Sequence, residues 1–568
     1  MKTMTRFFLS IVFSALFFLL NTHPQAFAFN EKSLPLNGKV SYMPLSIDVC
    51  LIDDFKTTEI LVKGGGFKIS AVIGGKKKTF DATGESLKLS VKKIYDSKPA
   101  VIEYYAILKT FPYTYLASDS NKKKDCVETI ESLEKTFGKL RFFTYGGVLK
   151  SRKSDKTIDI RTVFCAAGPF KNEELCRKFC DSTREKHSMQ SFAHPYRLKN
   201  ASCNFDVSLE YDTVSKGVPK SFSKKLSGVS RIELDVKDRM TIKSMEFGRG
   251  DKWHCYKDAL YAGKLTIKSD NKGFLELVNT IGFDELLKVV VPSEIEPKSP
   301  YQAICAQAIA ARSEILSKFE TRHTETDYDF CAATHCQAYG GIGNRTADAD
   351  NAVAETSSKI LFSDGHIVDT VYHADCGGLT EDSNKVWSSP YDPALISISD
   401  STLETALDFS TNEAALRKFI LNPPPCYCSV AGACNNGDKF RWKREYSQKQ
   451  VEEMIARQFI IGELLEIKTV ERGKSGRLMA IELVGTRAKQ KVYKELNIRK
   501  LFGMLRSGLF IIETENRSGV KYYKFTGAGW GHGVGMCQDG AKGMGLSGKN
   551  YEEILNHYFS NSEILNFK

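Results

Sequence analysis

The chain has 568 residues, which is too many for one hydrophobic core, so its length predicts roughly two to four domains. Hydrophobic residues make up 42% and charged residues 26% of the chain, a globular composition that argues against extensive disorder. The formal net charge of +12 is spread in short lysine runs such as 76–78 and 122–124, and indicates either an ordinary solvated surface or attraction to an anionic polymer.

The N-terminus has the pattern of a secretory signal peptide. Lys2 and Arg6 precede an apolar run from Phe7 to Leu20, and a small-x-small cleavage site ends at Ala28. The run is short for a membrane span, although an uncleaved anchor remains an alternative. We expect residues 1–28 to be removed and the protein to be exported to the periplasm, the cell wall or the extracellular space. Wall polymers or lipid headgroups are then the expected anionic partners, and nucleic acid is not.

Fifteen cysteines in an exported chain favour disulfides, but an odd number leaves at least one that is free, binds metal or pairs with another chain. Residues 29–250 alternate β-like runs, such as 67–73, with turns rich in Gly, Lys and Ser, which predicts a mostly β N-terminal region of unknown role. Cys176 and Cys180 lie four apart on a predicted helix. Without nearby histidines, disulfides or free thiols are favoured there over a metal site.

Residues 251–568 predict a mixed, β-rich α+β region with a few short helices. Asp270 to Gly273 separates two β-like runs and predicts a hairpin, and Asp364-Gly365 predicts a second one. A Cys- and Pro-rich stretch at 421–438, with Pro423 to Asn436 at its centre, interrupts the pattern and predicts a surface insertion.

Glu294 closes the segment Val291-Pro292-Ser293-Glu294, which the sequence predicts to be an apolar strand end running into a turn. A carboxylate partly desolvated by Val289 to Val291 and Ile295 has a raised pKa, as a general acid requires. The alternative is a surface glutamate balanced by Lys298.

Capping patterns predict three later helices. Ser299 with Gln302, Ser447 with Gln450, and Asn550 with Glu553 each combine an N-cap residue with a Glu or Gln three residues on. For the first helix, 3.6-residue spacing predicts a buried stripe of Ile304, Ala308, Ala311 and Ile315.

A cluster of soft ligands follows that helix. His323, Cys331, His335 and Cys336 lie within fourteen residues and suit tetrahedral zinc, although the adjacent pair is sterically awkward. A disulfide between the two cysteines, or from either one to Cys376, is the alternative.

The segment from Gly527 to Met536 contains five glycines together with Trp530 and His532. Glycines allow the backbone to approach a ligand closely, and the flat indole face suits stacking against a sugar ring. The segment lacks the Lys-Ser or Lys-Thr of a phosphate-binding loop.

Together these segments resemble the SpoIID family, the group of stage II sporulation protein D and the amidase enhancer LytB. The resemblance covers about residues 260–564. It rests on the Val-Pro-Ser-Glu segment, Ala306 to Arg312, Thr334 to Gly341, Tyr372 to Glu381 with Val386-Trp387, and Gly527 to Ala541.

The resemblance implies a peptidoglycan lytic transglycosylase that forms 1,6-anhydroMurNAc ends, with glycan strands as substrate, Glu294 as its acid and base, and no cofactor needed for catalysis. Peptide-stripped strands are the expected form of the substrate. Asp375 and Glu381 are candidate helpers, although hydrogen bonds to the glycine-rich turn are the favoured role for both. The residues that the resemblance places at the cleft are Gln307, Arg312, Thr334, Gln337, Tyr339, His373, Thr380, Trp387, Trp530 and His532.

The resemblance also implies that any zinc at the His323 cluster is structural. Two departures from the family pattern stand out: Cys537 and Asp539 replace the usual Ser and Tyr, and Pro423 to Asn436 has no recognised counterpart. The main alternative function is a non-catalytic glycan-binding protein that recruits or stimulates a cell-wall amidase. A third, zinc-dependent hydrolysis, requires an open metal position.

Overall fold

The computed structural model describes residues 40–567, with gaps at 44, 56–58, 64–65, 83–85, 118–120, 188, 216–217, 249–253, 334, 388–390, 402–406 and 435–436. The predicted signal peptide and its cleavage site lie outside the described residues and stay a prediction. Among the described helices, none combines the length and the apolar character needed to cross a membrane.

The fold is α+β and rich in strands, which confirms the predicted fold class. The strands are β1 Val40–Met43, β2 Ser46–Phe55, β3 Glu59–Lys63, β4 Phe67–Ile73, β5 Lys76–Ala82, β6 Ser86–Lys98, β7 Val101–Pro112, β8 Arg141–Tyr145, β9 Val148–Ser151, β10 Thr157–Asp159, β11 Thr162–Phe170, β12 Phe192–Lys199, β13 Ser202–Ser215, β14 Val218–Phe247, β15 Cys255–Ser269, β16 Leu275–Gly282, β17 Phe330–Cys331, β18 Lys359–Ser363, β19 His366–Ile367, β20 Tyr372–His373, β21 Arg441–Ser447, β22 Leu464–Arg472, β23 Leu478–Gly485, β24 Lys489–Tyr493, β25 Phe510–Arg517, β26 Val520–Ala528, β27 Met536–Cys537 and β28 Glu563–Asn566. The helices are α1 Tyr113–Ala117, α2 Asn121–Phe137, α3 Glu173–His187, α4 Phe283–Glu294, α5 Tyr301–Lys318, α6 Ala347–Glu355, α7 Ser383–Val386, α8 Glu413–Leu421, α9 Gly437–Phe440, α10 Gln448–Ala456, α11 Glu495–Leu501, α12 Gln538–Leu546 and α13 Tyr551–Tyr558.

The largest sheet has ten strands in the order β13-β6-β3-β14-β15-β16-β2-β17, with β4 paired to β14 and β5 to β4. The predicted hairpin around residues 270–273 is confirmed, because β15 and β16 pair with Ile267 opposite Leu277. Strand β14 pairs with β15, and β2 lies between β16 and β17. Residues on both sides of position 250 therefore share one sheet and one apolar core.

The N-terminal region also contains a four-stranded sheet, β12-β7-β11-β8, which carries helices. Leu108 on β7 packs with Ile130 and Leu133 of α2 in one cluster. The predicted helix at Cys176 and Cys180 is confirmed as α3, and both cysteines pack against the sheet.

Helices α4 and α5 place the candidate acid. The prediction of a strand end at Val289 to Val291 is wrong, because these β-branched residues form the last turns of α4, where burial outweighs their strand propensity. The predicted buried stripe on α5 is confirmed, but α5 is buried on nearly every face. The Ser299 capping box is wrong: Pro300 is the N-cap, the Ser299 hydroxyl is buried without a described partner, and the Gln302 side chain accepts from Tyr551 N at 3.0 Å.

The C-terminal part builds a second core between the sheets β21-β26-β25 and β22-β23-β24. The capping boxes at Ser447 and Asn550 are both confirmed. The second predicted hairpin forms in short form, with β18 paired to the two-residue β19.

In the stretch at 421–438, most described side chains are exposed or half-buried, but two of its cysteines are buried. Cys426 is the N-cap of a tight helical turn at 427–429 and Cys428 lies within that turn; they are 2% and 0% exposed, respectively. The turn packs into the main core, since the sulfur of Cys428 lies 3.8 Å from that of Cys376. The prediction missed this because the partner cysteines are remote in sequence.

Candidate active site

Glu294 is the last residue of α4, and its side chain is half-buried. Its Oε1 atom accepts a hydrogen bond from Ala338 N at 3.1 Å, and its backbone carbonyl accepts one from Gln538 Nε2 at 2.8 Å. Gln538 Nε2 also donates to Gln307 Oε1 at 3.3 Å. The residue is therefore held from three segments of the chain: α4, the loop after β17, and the start of α12.

Burial raises the pKa of Glu294 to about 7, an effect that the Ala338 N–H opposes and the negative charge of Glu314 reinforces. The position of Glu294 in the last turn of a helix acts in the same direction, because the carbonyl end of a helix disfavours an anion. At neutral pH, Glu294 is thus divided between its protonated and ionised forms, as proton transfer in both directions requires.

A raised pKa alone does not single out this residue. Burial also raises the pKa of Glu276 to about 7. Glu276, however, is 4% exposed within strand β16 and faces Lys268 at 3.4 Å. Glu294 differs because its side chain is only half-buried and because its carboxyl group accepts from a backbone donor, Ala338 N.

A polar network lies behind Glu294. Glu314, on α5, pairs with Lys318 and accepts a hydrogen bond from the amide of Gln337. The Gln337 carbonyl oxygen in turn accepts from the Tyr372 hydroxyl at 2.7 Å. Sequence reasoning missed Glu314 and Tyr372, although Gln307 and Glu314 are seven residues apart, which places them on one face of a helix.

The glycine-rich loop at 527–536 carries Trp530 and His532, and Trp387 packs against His532; we call these three side chains the aromatic wall. His532 donates from Nε2 to the Tyr372 carbonyl at 3.0 Å and accepts at Nδ1 from Val534 N at 3.1 Å, so its ring is fixed. Burial lowers the pKa of His532 to about 3, which keeps it neutral. The Trp387 ring centroid lies 4.9 Å from that of His532, and Trp530 is 40% exposed with the Arg506 guanidinium 4.5 Å from its ring centroid.

His373 lies beneath this wall, 5.4 Å from His532 between ring centroids, and donates from Nδ1 to the Val534 carbonyl at 3.0 Å. Position 533 of the loop requires glycine for two reasons. Its φ is +82°, and a Cβ atom there would lie 2.1 Å from the guanidinium carbon of Arg477. Arg477 is fully buried and donates to the carbonyls of Leu379 and Cys376.

Several residues assigned to the cleft have interior positions instead. Arg312 is 1% exposed and donates to the carbonyls of Val353 and Lys359, which braces α5 against α6 and β18. Tyr339 is 2% exposed and donates to Asn279 at 2.6 Å, and Thr380 is 1% exposed and bonded to the backbone of Ile398. Burial to this degree gives all three a supporting position.

The same holds for the two candidate helpers. Asp375 accepts from Gly377 N at 2.7 Å, and Glu381 accepts from Asp382 N and Ser475 N. The Asp375 carboxylate therefore holds the Gly377-Gly378 turn, as the favoured interpretation expected, whereas the Glu381 carboxylate bonds to Asp382 and Ser475 instead. Thr334 lies outside the described residues.

The predicted metal ligands come together. One ligand atom from each of His323, Cys331, His335 and Cys336 lies within 4.8 Å of the others. His323 Nε2 is 3.1 Å and His335 Nδ1 is 3.4 Å from Cys336 Sγ, and His335 Nδ1 is 3.7 Å from Cys331 Sγ. Cys376 lies elsewhere, beside Cys428, so the alternative of a disulfide from this cluster to Cys376 is wrong.

A cavity of about 1050 Å³ lies between the four-stranded sheet and the region that follows α5. Its lining includes Lys122, His194, Lys318 and Trp387, but not Glu294.

Comparison with known proteins supports the resemblance to the SpoIID family. Residues 271–362 match the family model "Stage II sporulation protein" (SpoIID), and residues 381–535 match a domain of unknown function, DUF8618. The chain contains a SpoIID domain. The resemblance seen in the sequence is thereby confirmed. Within the SpoIID match lie Glu294, α5 and the His323 cluster, whereas Trp387, Trp530 and His532 fall within the second match.

Curated relatives agree with the SpoIID assignment. The amidase enhancer of Bacillus subtilis (strain 168) is 24% identical over 296 residues, which are 50% of this chain and 40% of that protein. Stage II sporulation protein D of Bacillus amyloliquefaciens is 25% identical over 303 residues, 50% of this chain and 75% of that protein. An uncharacterized protein of Brachyspira hyodysenteriae (strain ATCC 49526 / WA1) is 24% identical over 382 residues, 64% of this chain and 91% of that protein. The match thus spans less than half of the amidase enhancer.

Proposed function

We propose that this SpoIID protein is a peptidoglycan lytic transglycosylase that cleaves the bond between N-acetylmuramic acid and N-acetylglucosamine. The observation that carries the proposal is the half-buried carboxyl group of Glu294, whose pKa is raised to about 7 and whose position is fixed by Ala338 N and Gln538. A carboxyl group in this state both donates and accepts a proton near neutrality.

In the proposed reaction, Glu294 transfers its proton to the glycosidic oxygen as the bond from that oxygen to muramic C1 breaks. The oxygen of the muramic C6 hydroxyl forms a bond to C1, and its proton passes to the Glu294 carboxylate. The product is a 1,6-anhydro ring, no water is consumed, and the protonated acid is regenerated.

One carboxyl group suffices for this chemistry, whereas most glycosidases use two. Glu314 is the nearby charge that raises the pKa of Glu294, but it is 7% exposed and engaged with Lys318 and Gln337. The role of Glu314 in the proposal is to raise the pKa of Glu294, which favours the protonated acid. A water-activating base would instead need open space beside its carboxylate.

Substrate binding is assigned to the aromatic wall. Trp530 presents an exposed ring that also has the Arg506 guanidinium as a neighbour, and sugar rings stack on such faces. Gln538 and Gln307 set the position of Glu294 through its backbone carbonyl.

The His323 cluster fits a structural zinc ion. Its four donors are two thiol sulfurs and two imidazole nitrogens, and their separations of 3.1 to 3.7 Å suit the edges of a tetrahedron with metal bonds of about 2.0 to 2.3 Å. Four protein ligands close the coordination sphere, which favours a structural ion over zinc-dependent hydrolysis. Two residues beyond Cys336, Ala338 donates to Glu294, so the cluster fixes the loop that holds the acid.

A second candidate function is recruitment or stimulation of a cell-wall amidase. The name of one relative, amidase enhancer, favours it. Either function requires export, for which the predicted signal peptide is the support.

The experiment that separates these functions is mass spectrometry of purified peptidoglycan, both intact and amidase-stripped, after incubation with the mature protein. We expect anhydromuramyl products from the wild type and none from Glu294→Gln. The matched control is Glu296→Gln, which makes the same change two residues away at an exposed position and should retain cleavage.

Three other results would contradict the proposal. Reducing-end muramic acid among the products would mean hydrolysis. Equal cleavage by Glu294→Gln would exclude this acid. Binding of glycan by the folded wild-type protein without cleavage of either substrate would favour the amidase-recruiting role.

A further inference from the structure

A second cluster of metal-ligand side chains lies in the interior, apart from the His323 cluster. Cys376, Asp400, Cys428 and Cys537 are each fully buried, and one ligand atom from each lies within 4.8 Å of the other three. The four residues come from separate segments. Cys376 lies in the turn after β20, Asp400 between the bridging residues Ser399 and Ser401, Cys428 in the turn at 427–429, and Cys537 at the N-cap of α12.

The spacing of the sulfurs matches a tetrahedral metal site. The Cys376 and Cys428 sulfurs are 3.8 Å apart. Two thiolates bound to one zinc ion at about 2.3 Å are separated by about 3.8 Å in a tetrahedral site, whereas a disulfide requires about 2.05 Å. A disulfide would also use two of the three sulfurs and leave the third thiol buried beside it.

Backbone N–H groups point at two of the sulfurs. The N–H of Cys376 donates to the Cys537 sulfur at 3.1 Å, and the N–H of Gly540, in the first turn of α12, donates to the same sulfur at 3.2 Å. The N–H of Gly378 donates to the Cys376 sulfur at 3.3 Å. Hydrogen bonds of this kind orient metal ligands.

The carboxylate of the cluster is oriented in the same way. Asp400 accepts from Cys428 N at 2.8 Å and from the Tyr558 hydroxyl at 2.5 Å. Cys426, by contrast, points its thiol at the Pro424 carbonyl, 3.1 Å away, and stands outside the ligand set.

We propose that Cys376, Cys428, Cys537 and Asp400 bind a second structural zinc ion. Sulfur-rich ligand sets of this geometry select zinc among the common divalent cations. The ion joins the stretch at 421–438 to the Gly377-Gly378 turn and to α12. Gln538, the first residue of α12, bonds to Glu294, but the site itself does not depend on catalysis by Glu294.

The test is the zinc content of the purified mature protein, produced with added zinc and dialysed without chelator. We expect two zinc ions per chain in the wild type, one in Cys428→Ser, one in Cys336→Ser, and none in the double variant. Cys305→Ser is the matched control, since Cys305 is equally buried but lies outside both clusters, and it should retain two ions.

Two further measurements guard against variants that do not fold. Asp400→Asn preserves side-chain shape and should weaken retention of one zinc ion against a competing chelator, with an unchanged circular dichroism spectrum. In Cys336→Ser, cobalt substituted for zinc should show the strong thiolate-to-cobalt absorption of a three-sulfur site. One zinc ion in the wild type, lost in Cys336→Ser, would overturn the proposal. So would a Cys376–Cys428 or Cys428–Cys537 disulfide found by peptide mass mapping.

Discussion

Replacing Glu294 with glutamine should make the protein more stable while abolishing its proposed activity. The carboxyl group has its pKa raised from 4.5 to about 7, so between these pH values the folded protein holds a proton that the unfolded chain releases. The free energy of unfolding of the wild type therefore falls as pH rises through this window. The glutamine side chain of the variant cannot ionise, yet its amide oxygen can still accept the hydrogen bond from Ala338 N.

The expected gain follows from the width of that window. Each unit of pH between the two pKa values costs the wild type about 1.4 kcal/mol, which amounts to about 3 kcal/mol at pH 8. For a chain of this length that unfolds as one unit, this corresponds to a rise in Tm of about 3 °C. Near pH 4.5 the difference should nearly vanish, because Glu294 is then protonated in the folded protein.

Differential scanning calorimetry of the wild type and Glu294→Gln at pH 5 and pH 8 measures this effect. Glu296→Gln is the control, since its exposed carboxyl group pairs with Lys542 at 3.6 Å and its loss should change Tm little at either pH. The reasoning is refuted if Glu294→Gln has the same pH dependence of Tm as the wild type.

Four other outcomes are expected. The cleavage rate should fall about tenfold per pH unit above pH 7 as Glu294 ionises, measured by anhydromuramyl product formation between pH 5 and pH 9. Glu314→Gln should move this alkaline limb to lower pH, because it removes a charge that raises the pKa of Glu294; an unmoved limb would exclude the coupling. Gln538→Leu should lower kcat roughly tenfold with little change in KM, since Gln538 positions the acid and does not bind glycan. Trp530→Ala should weaken glycan binding by about 1 kcal/mol, or roughly fivefold in Kd by calorimetric titration, and an unchanged Kd would remove Trp530 from the binding surface.

The sequence predicts local structure well where the determinants are local. The capping boxes at Ser447 and Asn550 form because each needs only residues within one turn. Ser299 fails although its pattern is the same, because Pro300 takes the N-cap position and Gln302 finds a partner 249 residues away in Tyr551. Val289 to Val291 form a helix because the core that buries them is assembled from distant segments.

The candidate site divides in the same way. The motif shared with the SpoIID family identifies Glu294, and close spacing identifies the four ligands of the His323 cluster. Sequence reasoning misses Glu314 because its importance comes from contacts with the Gln337 loop rather than from its neighbours on α5. The resemblance places Arg312 at the cleft, but five residues after Gln307 is nearly the opposite face of a helix, and Arg312 lies there against α6.

Strand β2, near the start of the described chain, lies between β16 and β17 in the large sheet. The segment of chain between β16 and β17 contains Glu294, so β2, from the N-terminal region, completes the sheet from which this segment extends. Removing the residues before about position 250 would expose the edges of β15, β16 and β17 together, and exposed strand edges promote aggregation. During synthesis, more than two hundred residues must therefore follow β2 before its partner strands exist, and the sheet beside the acid is complete only when β2 has paired with β16 and β17.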